Sequence, residues 1–238
     1  MGEVWPACIV FLVAACGRVG FDPVVDASHD VAPTAPWTLV QVVGQTSSPV
    51  VLSPTTPGSL IAVEIQRTSS GAITAVTDDA SGGGNPYVSA GADATDAPGN
   101  NALELWFAAG ARGGATHVTI GGSGILAAVV WEVSGIAANA LDTVSIVGNG
   151  PSTISPLGPP ITTLAPGDMV ISSAVTSSGI RVMGIHPGNA FTNDSMVLVN
   201  GWAHLTDPAA PPGSYQAQWD NNAAGTYCAN AAAFFVGP

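Results

Sequence analysis

The 238-residue chain contains no lysine, and its four cations are all arginines: Arg18, Arg67, Arg112 and Arg181. Against them stand 16 acidic residues, for a formal net charge of −12. Nucleic-acid binding needs a basic footprint that displaces condensed counterions, and this sequence cannot supply one. The same deficit excludes charge-driven docking on anionic lipid. Charged residues of both signs reach only 8%, against roughly 25% in an ordinary soluble domain. Cysteine is scarce, with Cys8, Cys16 and Cys228 the only three. That number excludes a disulfide framework, and no Cys/His spacing suits a metal. No window longer than two turns carries a convincing helical period.

What is present is apolar and turn-rich. Hydrophobic residues make up 47%, with 29 glycines and 19 prolines. This is too apolar for a disordered chain. Val, Thr, Ala and Gly without helix-favouring charge point to an all-β protein. From Trp37 onward, β-rich runs alternate with Gly, Pro, Asn and Ser turns. Strands are expected near 37–44, 48–53, 59–66, 72–78, 102–109, 115–120, 125–134, 141–147, 168–176, 179–184, 195–205, 213–219 and 226–236. The clearest alternation runs from Ser214 to Asp220: Tyr215, Ala217 and Trp219 on one side, Gln216, Gln218 and Asp220 on the other. Pro57-Gly58-Ser59-Leu60-Ile61 and Pro166-Gly167-Asp168-Met169-Val170 open two strands in similar fashion, as in a duplication or in one Greek-key sandwich. Residues 148–165 read as an edge strand or covering loop. The expected architecture is a single antiparallel β-sandwich of jelly-roll or Greek-key type over residues 37–238.

The N-terminus reads as an address. Ala7 to Ala15 is a short apolar run ending in small residues. It is shorter than the about 20 residues that span a bilayer and suits the apolar region of a signal peptide. Val13-Ala14-Ala15-Cys16 resembles the lipobox of bacterial lipoproteins. The resemblance implies removal of residues 1–15 and lipidation of Cys16. Met1-Gly2-Glu3-Val4-Trp5 departs from that pattern, because it lacks the usual positive charge. A plain secretory signal with an incidental cysteine is the other reading. Residues 16–36, broken by Gly17, Gly20, Pro23, Pro33 and Pro36, form the lipidated N-terminus and a flexible tether, with a reach of about 25 Å.

The body carries a second resemblance. Leu60-Ile61-Ala62-Val63, Val76-Thr77-Asp78-Asp79, Gly84-Asn85-Pro86-Tyr87, Leu105-Trp106-Phe107, Trp131-Glu132-Val133, Gly213-Ser214-Tyr215 and Ala233-Phe234-Phe235 follow one another in order. Over nearly all of 37–236 this is similar to a family of β-sandwich domains in secreted bacterial proteins. Such domains often stand beside glycan-active, adhesive or fibronectin-like modules. The resemblance implies the fold and supplies no active-site residues.

Catalytic patterns are thin. Gly121-Gly122-Ser123-Gly124 lacks the last glycine of a nucleophile elbow and reads as a hairpin turn. His29, His117, His186 and His204 make no close carboxylate pair in sequence and read as structural. Glu64, Glu104 and Glu132 read as solvated strand faces rather than a glycosidase pair. Cys228 reads as a buried small hydrophobe. Asp78, Asp79 and Asn85 share an oxygen-rich loop that suits calcium or simple turn formation. Trp106, and Trp202 together with His204, are candidates for a glycan-stacking platform, while Trp131 and Trp219 belong to the core.

These observations lead to a non-catalytic, lipid-anchored envelope protein that binds or adheres to a glycan or another surface protein, with no cofactor. Its expected place is the outer membrane or cell surface. A structural role in envelope assembly and an unrecognised hydrolase are the alternatives.

Overall fold

The structure, a computed structural model, describes residues 37–237 apart from Ala92, Ser178, Gly179 and Met196. Cys8, Cys16, Arg18, His29 and the tether lie outside the described residues. Sixteen strands run β1 (Thr38–Gln45), β2 (Val50–Val51), β3 (Leu60–Asp78), β4 (Val88–Ser89), β5 (Ala94–Asp96), β6 (Asn101–Ala108), β7 (His117–Ser134), β8 (Ile136–Thr153), β9 (Ile161–Thr163), β10 (Met169–Thr176), β11 (Val182–Ile185), β12 (Phe191–Ser195), β13 (Gly201–Leu205), β14 (Gly213–Tyr215), β15 (Trp219–Asn221) and β16 (Gly225–Val236). All pairings are antiparallel. Two sheets face each other as a β-sandwich. The first has the order β1-β7-β3-β6-β4, with β2 on β7 and β5 on β6. The second has the order β12-β13-β10-β16-β8. The two Pro-Gly openings lead into β3 and β10, a central strand of each sheet, with Gly58 at φ +83° and Gly167 at φ +82°.

Period-two alternation decides which side chains enter the inter-sheet core. Leu60 and Ala62 of β3, Leu103 and Leu105 of β6, and Val129, Trp131 and Val133 of β7 meet Met169, Ile171, Trp202, Cys228, Ala232 and Phe234 from the other sheet. Each large apolar side chain fully buried there contributes about 1.5–3 kcal/mol.

Where separate strands are expected at 59–66 and 72–78, and at 115–120 and 125–134, the chain instead forms two long strands paired along their whole length, with a register break between Arg67 and Ala72. Gly121-Gly122-Ser123-Gly124 is therefore not a hairpin turn but the bend of this ribbon. Gly122 adopts φ +145°, and a side chain there or at Gly71 would collide with the facing backbone. The bend folds the ribbon back on itself. Gln45 pairs with Ala128 and Val50 with Val118. Five residues reach at most about 18 Å, whereas ten residues of straight strand span about 33 Å. Val118 and Ile120 accordingly pack over Ala128, Val130, Ile61, Val63 and Ile65 of the same ribbon.

The second sheet is covered as well. Trp219, Ala217, Ile161 and Val182, from β15, β9, β11 and the segment before β15, pack on Val170, Ala174, Ala203, Leu205, Ala229 and Ala231. Gln216, Gln218 and Asp220 face outward while Ala217 and Trp219 are buried, as the alternation predicts, although β14 and β15 are separate strands there. Residues 148–165 finish the edge strand β8 and then supply β9 to this cover.

Candidate functional site

With both outer faces of the sandwich layered over, the ends and rims remain. The strand register defines two opposite ends. Thr38, Ser134, Ile136, Leu60, Met169 and Val236 lie at the end where the described chain begins. The other end gathers the ribbon bend at Arg67–Ala72, the turn Pro98-Gly99-Asn100, the β12–β13 connection and the start of β16.

The β12–β13 connection is the most unusual of these. Residue 195–205 is expected as one strand, but the chain reverses between β12 and β13. Leu198 (φ 51°, ψ 27°) and Val199 (φ 56°) are both left-handed, and the Asn200 amide closes the turn on the Val197 carbonyl at 3.2 Å. Left-handed backbone is disfavoured for any side chain with a Cβ, and most for a β-branched one. Both side chains nevertheless stand in solvent, Leu198 43% and Val199 40% exposed.

The turn is held from below by a buried polar column. Asn200 donates to Gln66 Oε1 (2.9 Å), and Gln66 donates to Asn101 Oδ1 (3.0 Å). Asn101 donates to the Thr176 carbonyl (3.1 Å), and the Thr176 amide returns to Asn200 Oδ1 (3.3 Å). Deeper on the same inner face of β3 lies Glu64, 1% exposed, accepting one hydrogen bond from Asn230 Nδ2 at 2.7 Å. Burial pushes its pKa up to about 8, only partly offset by Asn230. Ser173 stands opposite Asn230 in register, its buried hydroxyl unpartnered.

The tryptophan candidates separate. Trp202 is 0% exposed and lies in the inter-sheet core, so it offers no ring face to a sugar. Its indole donates to the Val197 carbonyl at 3.4 Å and braces the strained turn. His204 does share its inward face, but it too is buried. Its Nδ1 meets Asp194 Oδ1 at 2.6 Å, Asp194 Oδ2 accepts the Trp131 indole N–H at 2.7 Å, and Trp37 packs edge-on at 5.6 Å. This group ties the edge strand β12 to the opposite sheet. Trp106 is half-buried on the outer side of the first sheet, its indole donating to Glu104 Oε1 at 2.7 Å.

The structure corrects the reading of the histidines. All three described histidines pair through Nδ1 with an aspartate: His117 with Asp79 (2.9 Å), His186 with Asp220 (2.8 Å) and His204 with Asp194 (2.6 Å). It also corrects the glutamates, none of which is solvated. Glu132 accepts from Gln41 (2.6 Å), the Thr56 amide (2.5 Å) and Ser59 (3.2 Å). Glu104 accepts from Arg67 Nε (3.2 Å) besides Trp106. Arg67 also pairs with Asp93. Glu64 faces inward and Glu104 outward on the same sheet, so they cannot flank one bond.

The oxygen-rich loop is occupied by its own donors. Asp78 accepts from the Ala80 and Asn85 amides, Asn85 Nδ2 and the Tyr87 hydroxyl. Asn85 Oδ1 accepts the Arg112 amide at 2.7 Å. Asp79 accepts from Thr116 and His117, and these bonds, the Thr116 hydroxyl foremost, hold its carboxyl well below the usual range. Among the described residues no three His, Cys, Asp or Glu side chains converge on a metal position. Cys228 is buried, and burial pushes its thiol up to about 12, which makes it unreactive.

No family model, no curated protein and no solved structure matches the chain. Its functional reading therefore rests on its own residues. Of those that matter, Asn200, Gln66, Asn101, Asn230, Ser173 and Asp194 escape a search for catalytic motifs. Positional parity is the signal that could find Glu64 and Gln66: both occupy core-facing positions of an otherwise apolar strand.

Proposed function

We propose that this protein is a lipid-anchored envelope module that recognises a surface partner through the loop end of its sandwich, without catalysis. The observation that carries the reading is the exposed, strained Leu198–Val199 turn on a rigid buried base. Strain of this kind persists where surrounding structure over-determines it, and it clusters at functional loops. One further feature agrees: both sandwich faces are covered, which leaves the ends as free surfaces. Trp106 supports a second reading, a glycan stacking on a half-exposed indole oriented by Glu104.

The test is binding of labelled full-length protein to whole cells and to a glycan array. The expected result is binding that is lost in Leu198→Asp/Val199→Asp and retained in Trp106→Ala. The reverse pattern favours the glycan platform. Turnover on esterase or glycosidase substrates that depends on one carboxylate would overturn the non-catalytic reading.

A further inference from the structure

We propose that Glu64 is a proton-controlled latch beneath the Leu198–Val199 turn, holding the turn rigid while protonated and loosening it when ionised. The proposal deepens the function given above and rests on that reading only where binding is concerned; the coupling itself is a property of the fold. Glu64 is buried on the inner face of β3 and accepts one hydrogen bond, from Asn230 Nδ2 of the opposite sheet at 2.7 Å. Asn230 of β16 pairs with Ser173 of β10, and Ser173 pairs with Trp202 of β13. Residues in register across antiparallel strands point to the same side, so these three form one row facing the sheet that carries Glu64. The Trp202 indole donates to the Val197 carbonyl at 3.4 Å, where the turn begins. Gln66 lies two residues along β3, on the same face as Glu64. It accepts from Asn200 at 2.9 Å, where the turn ends. Both ends of the turn are thus fastened to the surroundings of one carboxyl group.

Nothing around that group is arranged to receive a negative charge. Among the described residues, Arg67 is committed to Glu104 and Asp93, Arg112 donates to the Gly82 carbonyl, and Arg181 is exposed. In register with Glu64, β7 and β1 place only Val129 and Gly44. The titratable groups of the other packed elements do not help. Asp96 of β5 accepts the Thr226 hydroxyl at 3.0 Å, and His204 of β13 is bonded to Asp194. The Cys228 thiol of β16 is neutral, because burial pushes it up to about 12. Burial pushes Glu64 up to about 8; Asn230 offsets part of this, and the charges of Glu104 and Asp93 add to it. Once ionised at that depth, the carboxylate calls for a second donor. The facing row holds the Ser173 hydroxyl, buried and unpartnered. Its own strand holds Gln66 Nε2, now spent on Asn101. Recruiting Ser173 shifts the neighbour of Trp202, and recruiting Gln66 opens the column under Asn200. Either change reaches a turn that is already strained.

The experiment is an NMR titration of the full chain from about pH 6 to about pH 9.5, following the Glu64 carboxyl carbon, the Trp202 indole N–H and the Leu198–Asn200 amides. All three are expected to move together with a midpoint near pH 8, so that at pH 9 about nine-tenths of the molecules carry the loosened turn. The transition disappears in Glu64→Gln, which keeps the acceptor for Asn230 and cannot ionise. If Glu64→Gln fails to fold, Ser173→Ala gives the reading: the midpoint rises, because the ionised form has lost its spare donor. A Glu64 carbon that titrates while the turn and Trp202 stay still would overturn the coupling. A turn transition that persists in Glu64→Gln would assign it to another group and overturn the proposal equally. The cell-binding assay at about pH 7 and about pH 9 is the second arm, with a loss at the higher pH in the wild type and none in Glu64→Gln. The NMR transition without binding at either pH would leave the latch supported and remove the surface-recognition reading.

Discussion

Glu64 is a fully buried carboxyl group with one hydrogen-bond partner, and its pKa, pushed up to about 8 by burial, has a direct thermodynamic consequence. The ordinary value is 4.5, so between pH 4.5 and about 8 the folded protein keeps a proton that the unfolded chain has released. Stability from this group is fully present below pH 4.5 and is lost as pH rises through 8, at roughly 1.4 kcal/mol per pH unit. Glu64→Gln mimics the protonated acid and keeps the acceptor for Asn230. It should flatten the decline, giving a variant more stable than the wild type at pH 8 and about equal at pH 4.5. Urea midpoints measured across that interval check this, and parallel declines for both proteins would refute it. Glu64 and Glu132 illustrate how little a residue's identity says about its environment. Both are fully buried strand glutamates, yet Glu132 accepts from three donors and Glu64 from one.

The strained turn belongs to the scale of the element. Val197 to Asn200 closes with two left-handed residues, the geometry in which hairpins favour Asn-Gly. Leu198 and Val199 each cost on the order of 1–3 kcal/mol in that conformation. Leu198→Asn/Val199→Gly should therefore raise the unfolding free energy by about 1–3 kcal/mol while weakening surface binding, because the apolar tip is gone. A denaturant titration beside the cell-binding assay measures both. Loss of stability would show that the turn is not strained. The same local chemistry explains why the two ribbon strands escape a reading by turns. Thr68-Ser69-Ser70-Gly71 and Gly121-Gly122-Ser123-Gly124 look like chain reversals, and only the pairing of the strands around them makes them a bend in continuous strands.

For the whole molecule, the decisive property is polarity along the strand axis: chain entry at one end, the strained turn and the Arg67–Ala72 bend at the other. If Cys16 carries lipid, metabolic labelling with a fatty-acid analogue marks the wild type and not Cys16→Ala. A label that survives the substitution would remove the anchor from the proposal. The absence of lysine and the net charge of −12 favour solubility and discourage indiscriminate adhesion to acidic surfaces. If the proposed recognition takes place at the exposed turn, it rests on shape and apolar contact rather than on charge.

Composition and the period-two pattern by themselves determined the β class, the strand character of most of the chain from Trp37 onward though not where one strand ends and the next begins, the burial of Trp131, Trp219 and Cys228, and the outward row Gln216, Gln218 and Asp220. Those properties are local: alternation along one strand reports which side is buried, whatever the strand pairs with. Only the tertiary structure decided what stands across from what. The His117–Asp79 and His186–Asp220 pairs join residues 38 and 34 positions apart. The Glu64–Asn230 bond spans 166 positions. Trp202 and Trp106 have the same side chain, yet one braces a turn from inside the core and the other lies half in water. Whether a strand's second face meets solvent or another layer is set by packing between distant segments, and here a folded-back ribbon and a cover of short strands close both.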